Sequence, residues 1–199
     1  MKLTLQSILQ TLLWTVITGM IYPLVMTVFA QFAFPHQANG SLVMRDGKIV
    51  GSALIAQQFQ GEKYFWPRPS AVTYGTMPSG ASNYGPTSAN LQKNVDANLA
   101  ALRTANKVPA DAPVPADLVF ASASGVDPHI SPEGARFQIA RVAAARGMSV
   151  DQVTALVDKF IEPPQWGFLG EARVNVLLLN LALDQTDPNK GGTATDKKS

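Results

Sequence analysis

Between Lys2 and Arg45 the chain carries no Asp, Glu, Lys or Arg, and Ile8 to Phe34 within that gap is almost wholly apolar (ILQTLLWTVITGMIYPLVMTVFAQFAF). Few stable homes exist for such a stretch. As an α-helix its 27 residues extend about 40 Å, against a hydrocarbon core of roughly 30 Å. Thirteen of them are Leu, Ile, Val or Phe, which together favour insertion by roughly −4 to −8 kcal/mol. Gln10, Gln31 and the threonines offset part of this. Helical bonding satisfies the interior backbone groups, which lipid requires. We therefore read 8–34 as a transmembrane helix preceded by a short segment, 1–7. Pro23, after Tyr22, removes one backbone donor near the middle, so a kink is expected there. Tyr22 and Pro23 are the residues expected to shape how this helix packs on a neighbour. The competing reading is a cleaved signal peptide, with Val28-Phe29-Ala30 as a cleavage pattern. Against it, the apolar stretch exceeds the usual length of roughly 7–15 residues, holds a central proline and follows only Lys2. Charge leaves orientation open, with Lys2 on one side and Arg45 and Lys48 on the other.

The 199 residues suffice for one anchor and one domain of ordinary size. Net charge is +2 with no dense basic run, too little to imply nucleic acid, and none is expected as a partner. There are no cysteines, so disulfides, thiolate nucleophiles, Cys-ligated zinc and iron–sulfur clusters are all excluded.

Beyond the anchor the pattern predicts an α/β (α+β) soluble domain. Asp46-Gly47 between apolar runs is a hairpin signal joining strands at about Ser41–Met44 and Lys48–Ile55. Residues 57–86 are too broken by Gly and Pro for one regular element. Their aromatics Phe59, Tyr64, Phe65, Trp66, Tyr74 and Tyr84 require burial, so a packed loop layer is expected. Thr87 or Ser88 caps a helix to about Asn106 with Leu91, Val95, Leu99 and Leu102 on one stripe. A Pro/Ala connector covers 107–116, and Leu118-Val119-Phe120 reads as a short strand. Ser131-Pro132-Glu133 opens a helix that Gly147 stops after Arg146. Ser149-Val150-Asp151-Gln152 is a capping box for the next, which Glu162-Pro163-Pro164 ends. A last helix is expected over about Glu171 to Asp184, with Asn175 and Asn180 bonding backbone inside the domain. The polar tail 186–199 is expected to be disordered.

No phosphate loop, dinucleotide fingerprint or nucleophile elbow is present, and His36 and His129 alone make no metal site. Three features remain. Ser122 to His129 contains Ser122, Ser124, Asp127 and His129, the parts of a nucleophilic triad, but equally a hydrogen-bonded turn fixed by Pro128 before a helix. Ser79-Gly80-Ala81-Ser82-Asn83 places small hydroxyl and amide side chains on flexible backbone, suited to an anion or to a tight loop. Arg68, between two prolines, can pair with a partner carboxylate or pack over Trp66 or Tyr64.

A series of phrases then carries a family resemblance: Tyr22-Pro23-Leu24, Ala38-Asn39-Gly40-Ser41-Leu42, Gly51-Ser52 with Leu54-Ile55, Tyr64-Phe65 with Arg68-Pro69-Ser70, Ser79 to Asn83, Ala121 to Gly125 with Asp127 to Ser131, Arg141-Val142-Ala143, and Val174 to Leu177 with Leu179-Asn180. In this order they resemble the C subunits (KdpC) of the bacterial Kdp potassium-transporting ATPase, up to Asp184. The resemblance implies an accessory, non-catalytic subunit of a high-affinity potassium uptake complex in the inner membrane. It implies a cytoplasmic N-terminus (1–7), one membrane helix in contact with lipid, and an extracytoplasmic domain (35–185). The implied partners are a channel-like potassium-binding subunit, a P-type ATPase subunit and a small single-helix subunit. ATP and potassium would be handled by the complex, with no cofactor assigned to this chain. The D-K-T-G phosphorylation motif of P-type ATPases is absent.

Two alternatives accompany that reading. In the first, the chain is a nucleotide-binding helper that raises the ATPase subunit's affinity for ATP. Ser79, Gly80, Ser82 and Asn83 are its candidate nucleotide or partner contacts. The family's S-G-G-S-N phrase looks like the signature motif of ABC ATPases, and here Ala81 replaces its second glycine. A domain outside the membrane would influence cytoplasmic ATP only through coupling between sites. In the second, the chain is an anchored hydrolase using Ser122 or Ser124, Asp127 and His129. These four, with Arg68, are otherwise candidate partner contacts.

Overall fold

The computed structural model describes residues 2–59 and 61–186. Apart from Thr186, the tail expected to be disordered lies outside them. The chain divides into two compact units, one ending at Ser52 and the other beginning at Ala53.

In the first unit, helix α1 (Lys2–Val16) runs through a π-helical stretch, Ile17–Ile21, into α2 (Tyr22–Ala33). Together they form a 32-residue helical stretch long and apolar enough to cross a membrane. The π stretch is the local answer to Pro23. In a regular helix the pyrrolidine ring would press on the Gly19 carbonyl and leave it without a donor. Here the turn widens, and the Tyr22 amide donates to the Ile17 carbonyl five residues back. Four hydroxyls of the stretch are satisfied within it. Ser7, Thr15, Thr18 and Thr27 each donate to the carbonyl four residues earlier, at 2.7–2.9 Å. A short helix, α3 (Pro35–Ala38), leads into a hairpin of β1 (Leu42–Arg45) and β2 (Lys48–Ser52). Asp46-Gly47 turns it with both residues at positive φ. The second strand stops at Ser52, short of the expected Ile55, because residues 53–55 turn away.

The second unit mixes helix with a small antiparallel sheet. Its elements are α4 (Ala89–Asn106), α5 (Ala116–Val119), β3 (His129–Ile130), α6 (Pro132–Arg146), α7 (Val150–Lys159), β4 (Ile161–Glu162), β5 (Arg173–Asn175) and α8 (Val176–Thr186). The sheet order is β3-β5-β4, so Val174 faces both Ile130 and Ile161. Cap chemistry sets the helix starts. The Ser131 hydroxyl accepts the Gly134 amide at 2.8 Å. Both bonds of the Ser149–Gln152 capping box form. Gly147 ends α6 in the left-handed conformation. Phe65, Ile130, Val142, Val153, Val157, Val174, Leu179 and Leu183 are the centre of the core.

Two expectations are corrected. Leu118-Val119-Phe120 is not a strand; Leu118 and Val119 lie buried in α5. Pro115 sets the entry to that turn and Asp117 sits in its first turn, and so short an apolar run carries no period of its own. The last helix begins at Val176 rather than Glu171, because Arg173–Asn175 completes the sheet. Asn175 then opens α8, its side-chain oxygen accepting the Leu178 amide at 3.2 Å.

Between Ser52 and Ala89 the described residues form no helix or strand, yet Phe65 is wholly buried. Side chains of α6 and α8 replace the missing strand partners. Asn180 accepts the Phe65 amide at 2.8 Å and donates to its carbonyl at 2.9 Å. Gln138 accepts the Trp66 amide at 2.8 Å and donates to its carbonyl at 3.2 Å. Arg141 donates to the carbonyls of Glu62 (2.7 Å) and Tyr64 (2.9 Å) and to the side-chain oxygens of Asn106 and Gln138. Its guanidinium also lies over the Trp66 ring. Arg146 reaches the Lys63 carbonyl and pairs with Asp184. Burial lowers the Arg141 pKa to about 10, opposed by the charge of Glu62, which leaves it charged at neutral pH.

Candidate functional site

Two loops of the second unit hold most of the residues singled out from the sequence. Asp127 organises one of them. Its Oδ1 accepts the His129 amide at 3.0 Å, closing a turn. The Pro128 carbonyl accepts the Val176 amide at the start of α8. Asp127 Oδ2 accepts from Arg68 Nη1 at 3.1 Å, and His129 Nδ1 lies 3.7 Å from Oδ1. Burial pushes the Asp127 carboxyl up. Hydrogen bonds from the His129 side chain and amide, with the charge of Arg68, outweigh this and hold it below its ordinary value.

Ser70 stitches the other loop to it. Its hydroxyl donates to the Gly125 carbonyl at 2.6 Å and accepts the Val72 and Tyr74 amides. The Tyr74 hydroxyl donates to the Arg68 carbonyl at 2.9 Å, and burial pushes it up to about 12. The Ser122 amide donates to Pro69, and the Gly80 amide to Ser124. Gly125 has φ +72°, and a Cβ there would stand 2.5 Å from Val72 Cγ2 and 2.8 Å from the Gly80 carbonyl. Only glycine permits this crossing.

Beside the stitched loops lies a groove of ≈680 Å³ whose lining includes Arg68, Ser82, Asn83, Tyr84, Asn94 and Phe120. Tyr84, expected inside, is exposed. Arg68 Nε is buried in its wall with no hydrogen-bond partner among the described residues. The wall also contains Asn98, whose amide donates to the Val119 carbonyl. Arg68, Ser82 and Asn83, separate candidates in the sequence, are neighbours in this lining. The sequence did not single out Asn94 and Asn98, whose signal was two amides one turn apart on a helix otherwise read by its leucines.

The remaining candidates separate. Ser79 and Gly80 are not in the groove lining, and the Gly80 amide is already occupied by Ser124. Ser122 is buried, while the Ser124 hydroxyl accepts the Val126 amide at 3.2 Å. Among the described residues no hydrogen bond joins His129 to either serine, and no group of three His, Asp or Glu is placed to hold a metal. Tyr22 and Pro23 flank the π stretch in the other unit, with Tyr22 exposed. The second-unit geometry is that of a recess with amide, hydroxyl and guanidinium groups in its lining.

Stability of this region should depend on acid. A carboxyl held low in the fold binds fewer protons than in the unfolded chain, so its contribution is complete above the ordinary carboxylate value of about 4. It falls away as pH drops through the lowered native value. Asp127→Asn is expected to remove that part of the acid limb, read from unfolding midpoints between about pH 2 and 6. An unchanged acid limb in the variant would refute the role given to Asp127.

The family described as KdpC, the K+-transporting ATPase c chain, matches residues 4–185. A potassium-transporting ATPase KdpC subunit of Methylococcus capsulatus is 52% identical over 182 residues, covering 89% of this chain and 95% of the relative. The Rhodospirillum rubrum protein of the same name is 55% identical over 177 residues, covering 87% and 91%. That of Rhodopseudomonas palustris is 49% identical over 196 residues, covering 92% and 96%.

Proposed function

Because the chain belongs to the KdpC family of K+-transporting ATPase c chains, we propose that it is an accessory, non-catalytic subunit of a potassium-transporting ATPase complex. The family match over residues 4–185 carries this reading. Lys2–Ala33 would cross the inner membrane once, with the N-terminus in the cytoplasm and the domain outside. The partners would be a channel-like potassium-binding subunit, a P-type ATPase subunit and a small single-helix subunit. Tyr22, Pro23 and the π stretch would shape the membrane contact.

The chain's own chemistry supports an assembly role. Its buried polar side chains hold backbone together: Gln138, Arg141, Arg146, Asn175 and Asn180 all bond to carbonyls or amides of the second unit. The groove beside Arg68, Ser82 and Asn83 offers donors to a partner segment, and the Arg68–Asp127–His129 cluster supports its wall. The nucleotide-helper reading retains Ser82 and Asn83 as lining residues, but its Gly80 amide has an internal acceptor.

Removing this chain from cells that express the other subunits is expected to abolish high-affinity potassium uptake, with restoration by the full-length chain. Affinity purification of the tagged chain is expected to recover a P-type ATPase and a channel-like subunit in fixed ratio. Full transport without it would overturn the reading.

A further inference from the structure

The turn between β4 and β5 stands outside both the groove lining and the core. Residues 163–170 read PPQWGFLG, with no charged side chain. Gln165 and Leu169 exchange two backbone hydrogen bonds of 2.9 Å, and the Gly167 amide donates to the Pro164 carbonyl. At the tip Trp166 is 85% exposed and Phe168 74%. Trp166 also has φ +53°, a left-handed backbone that a bulky side chain adopts only against its own steric preference. Neither aromatic belongs to the core, so the fold gains no burial from them in return. A strained, hydrogen-bonded turn that holds two large rings outward is a feature of recognition, because the ordering cost of the contact has been met in advance.

The surrounding charge selects the occupant. Glu162 and Glu171 flank the tip; Glu162 pairs with Arg173 at 3.0 Å, and no Lys or Arg lies on the turn itself. An anionic lipid surface is recruited by basic residues beside the apolar ones, whereas here Glu171 adds an acid and has no ion pair among the described residues. Trp with Phe at a rigid, protruding tip is instead the composition of a protein hot spot. We propose that the 163–170 turn is a docking knob that inserts Trp166 and Phe168 into an apolar pocket, with a neutral or basic rim, on another protein subunit of the complex. The inference rests on the accessory-subunit reading above and adds the residues that make the attachment.

The test uses the intact complex. Trp166→Ala/Phe168→Ala is expected to lower recovery of the partner subunits with the tagged full-length chain about tenfold or more under washing. Its unfolding midpoint should stay that of the parent. Parental recovery by the variant overturns the proposal, whereas failure of the parent chain itself to recover partners would overturn the accessory reading instead. As a second readout, Gln165→Cys, beside the rings and leaving both in place, introduces the sole cysteine for a nitroxide label. Collisions with oxygen and with a water-soluble nickel chelate are both expected to fall on assembly. A rise in oxygen contact with loss of nickel contact would assign the turn to lipid. Free access to both reagents would assign it to water, and label–label coupling to a second copy of this chain. Each of these three results overturns the proposal.

Discussion

Replacing Arg141 with alanine is expected to cost the chain about 3–5 kcal/mol of stability, a large share of the roughly 5–15 kcal/mol that holds an ordinary domain folded. Truncation would strip donors from the Glu62 and Tyr64 carbonyls and from the Asn106 and Gln138 side chains at once. Asn106 is buried, so its oxygen gains no ready access to water, whereas the Gln138 oxygen keeps the Trp66 amide. An orphaned buried acceptor costs more than the bond contributed when made. The Trp66 ring would also lose the guanidinium that lies 4.5 Å from its centre. Arg141→Lys is expected to recover little, since one ammonium cannot meet acceptors spread around a planar fork. Arg141→Met tests the same point with the stem kept. It should remain far below the parent, because the acceptors stay unpaired. Urea or thermal unfolding of the full chain in detergent, followed by near-ultraviolet circular dichroism, reads all three. An Arg141→Ala variant within about 1 kcal/mol of the parent would refute the clamp.

Gly125→Val is expected to be nearly as damaging, at about 2–5 kcal/mol: roughly 1–2 from left-handed backbone and 1–3 from overpacking. Its φ of +72° disfavours any side chain, and the new Cβ would press on Val72 and the Gly80 carbonyl. The carbonyl belongs to backbone and cannot rotate away, so both stitched loops must shift. Gly147 provides the control. It has φ +64° but nothing within 4 Å of an added Cβ, so Gly147→Ala should cost only the backbone part, about 1 kcal/mol. Equal losses at the two positions would mean that the loop crossing contributes nothing beyond conformation. Both variants are read by the same unfolding measurement.

What was legible in the sequence was local. Ser131-Pro132 and the Ser149–Gln152 box fixed two helix starts because capping involves residues three apart, and Asp46-Gly47 fixed a turn in the same way. Asn180 was read as bonding backbone within the domain, which it does, but nothing near it named Phe65 as its partner. Arg141 entered only as part of a family phrase, with no pattern around it that named its role. On α6 it resembles a surface arginine until carbonyls some eighty residues earlier are brought against it. Arg173–Asn175 was misread as helix because three residues can follow either period, and only pairing with Ile130 and Ile161 decides between them. The groove was half legible. Arg68, Ser82 and Asn83 stood out as polar residues among turns, whereas Asn94 and Asn98 were masked by the apolar stripe of their helix.

The irregular segment around Phe65 also imposes an order on synthesis. Its bonds reach 72 residues forward to Gln138 and 115 residues forward to Asn180. A chain emerging N-terminus first therefore has its apolar lead helix, its hairpin and this aromatic segment available long before the partners of that segment exist. The centre of the domain cannot close until the final helix has left the ribosome, and such long-range closure is slow. A polypeptide cut short before α8 would thus lose more than that helix: it would present Phe65 with no side-chain amide to receive its backbone, and the core around it would stay open.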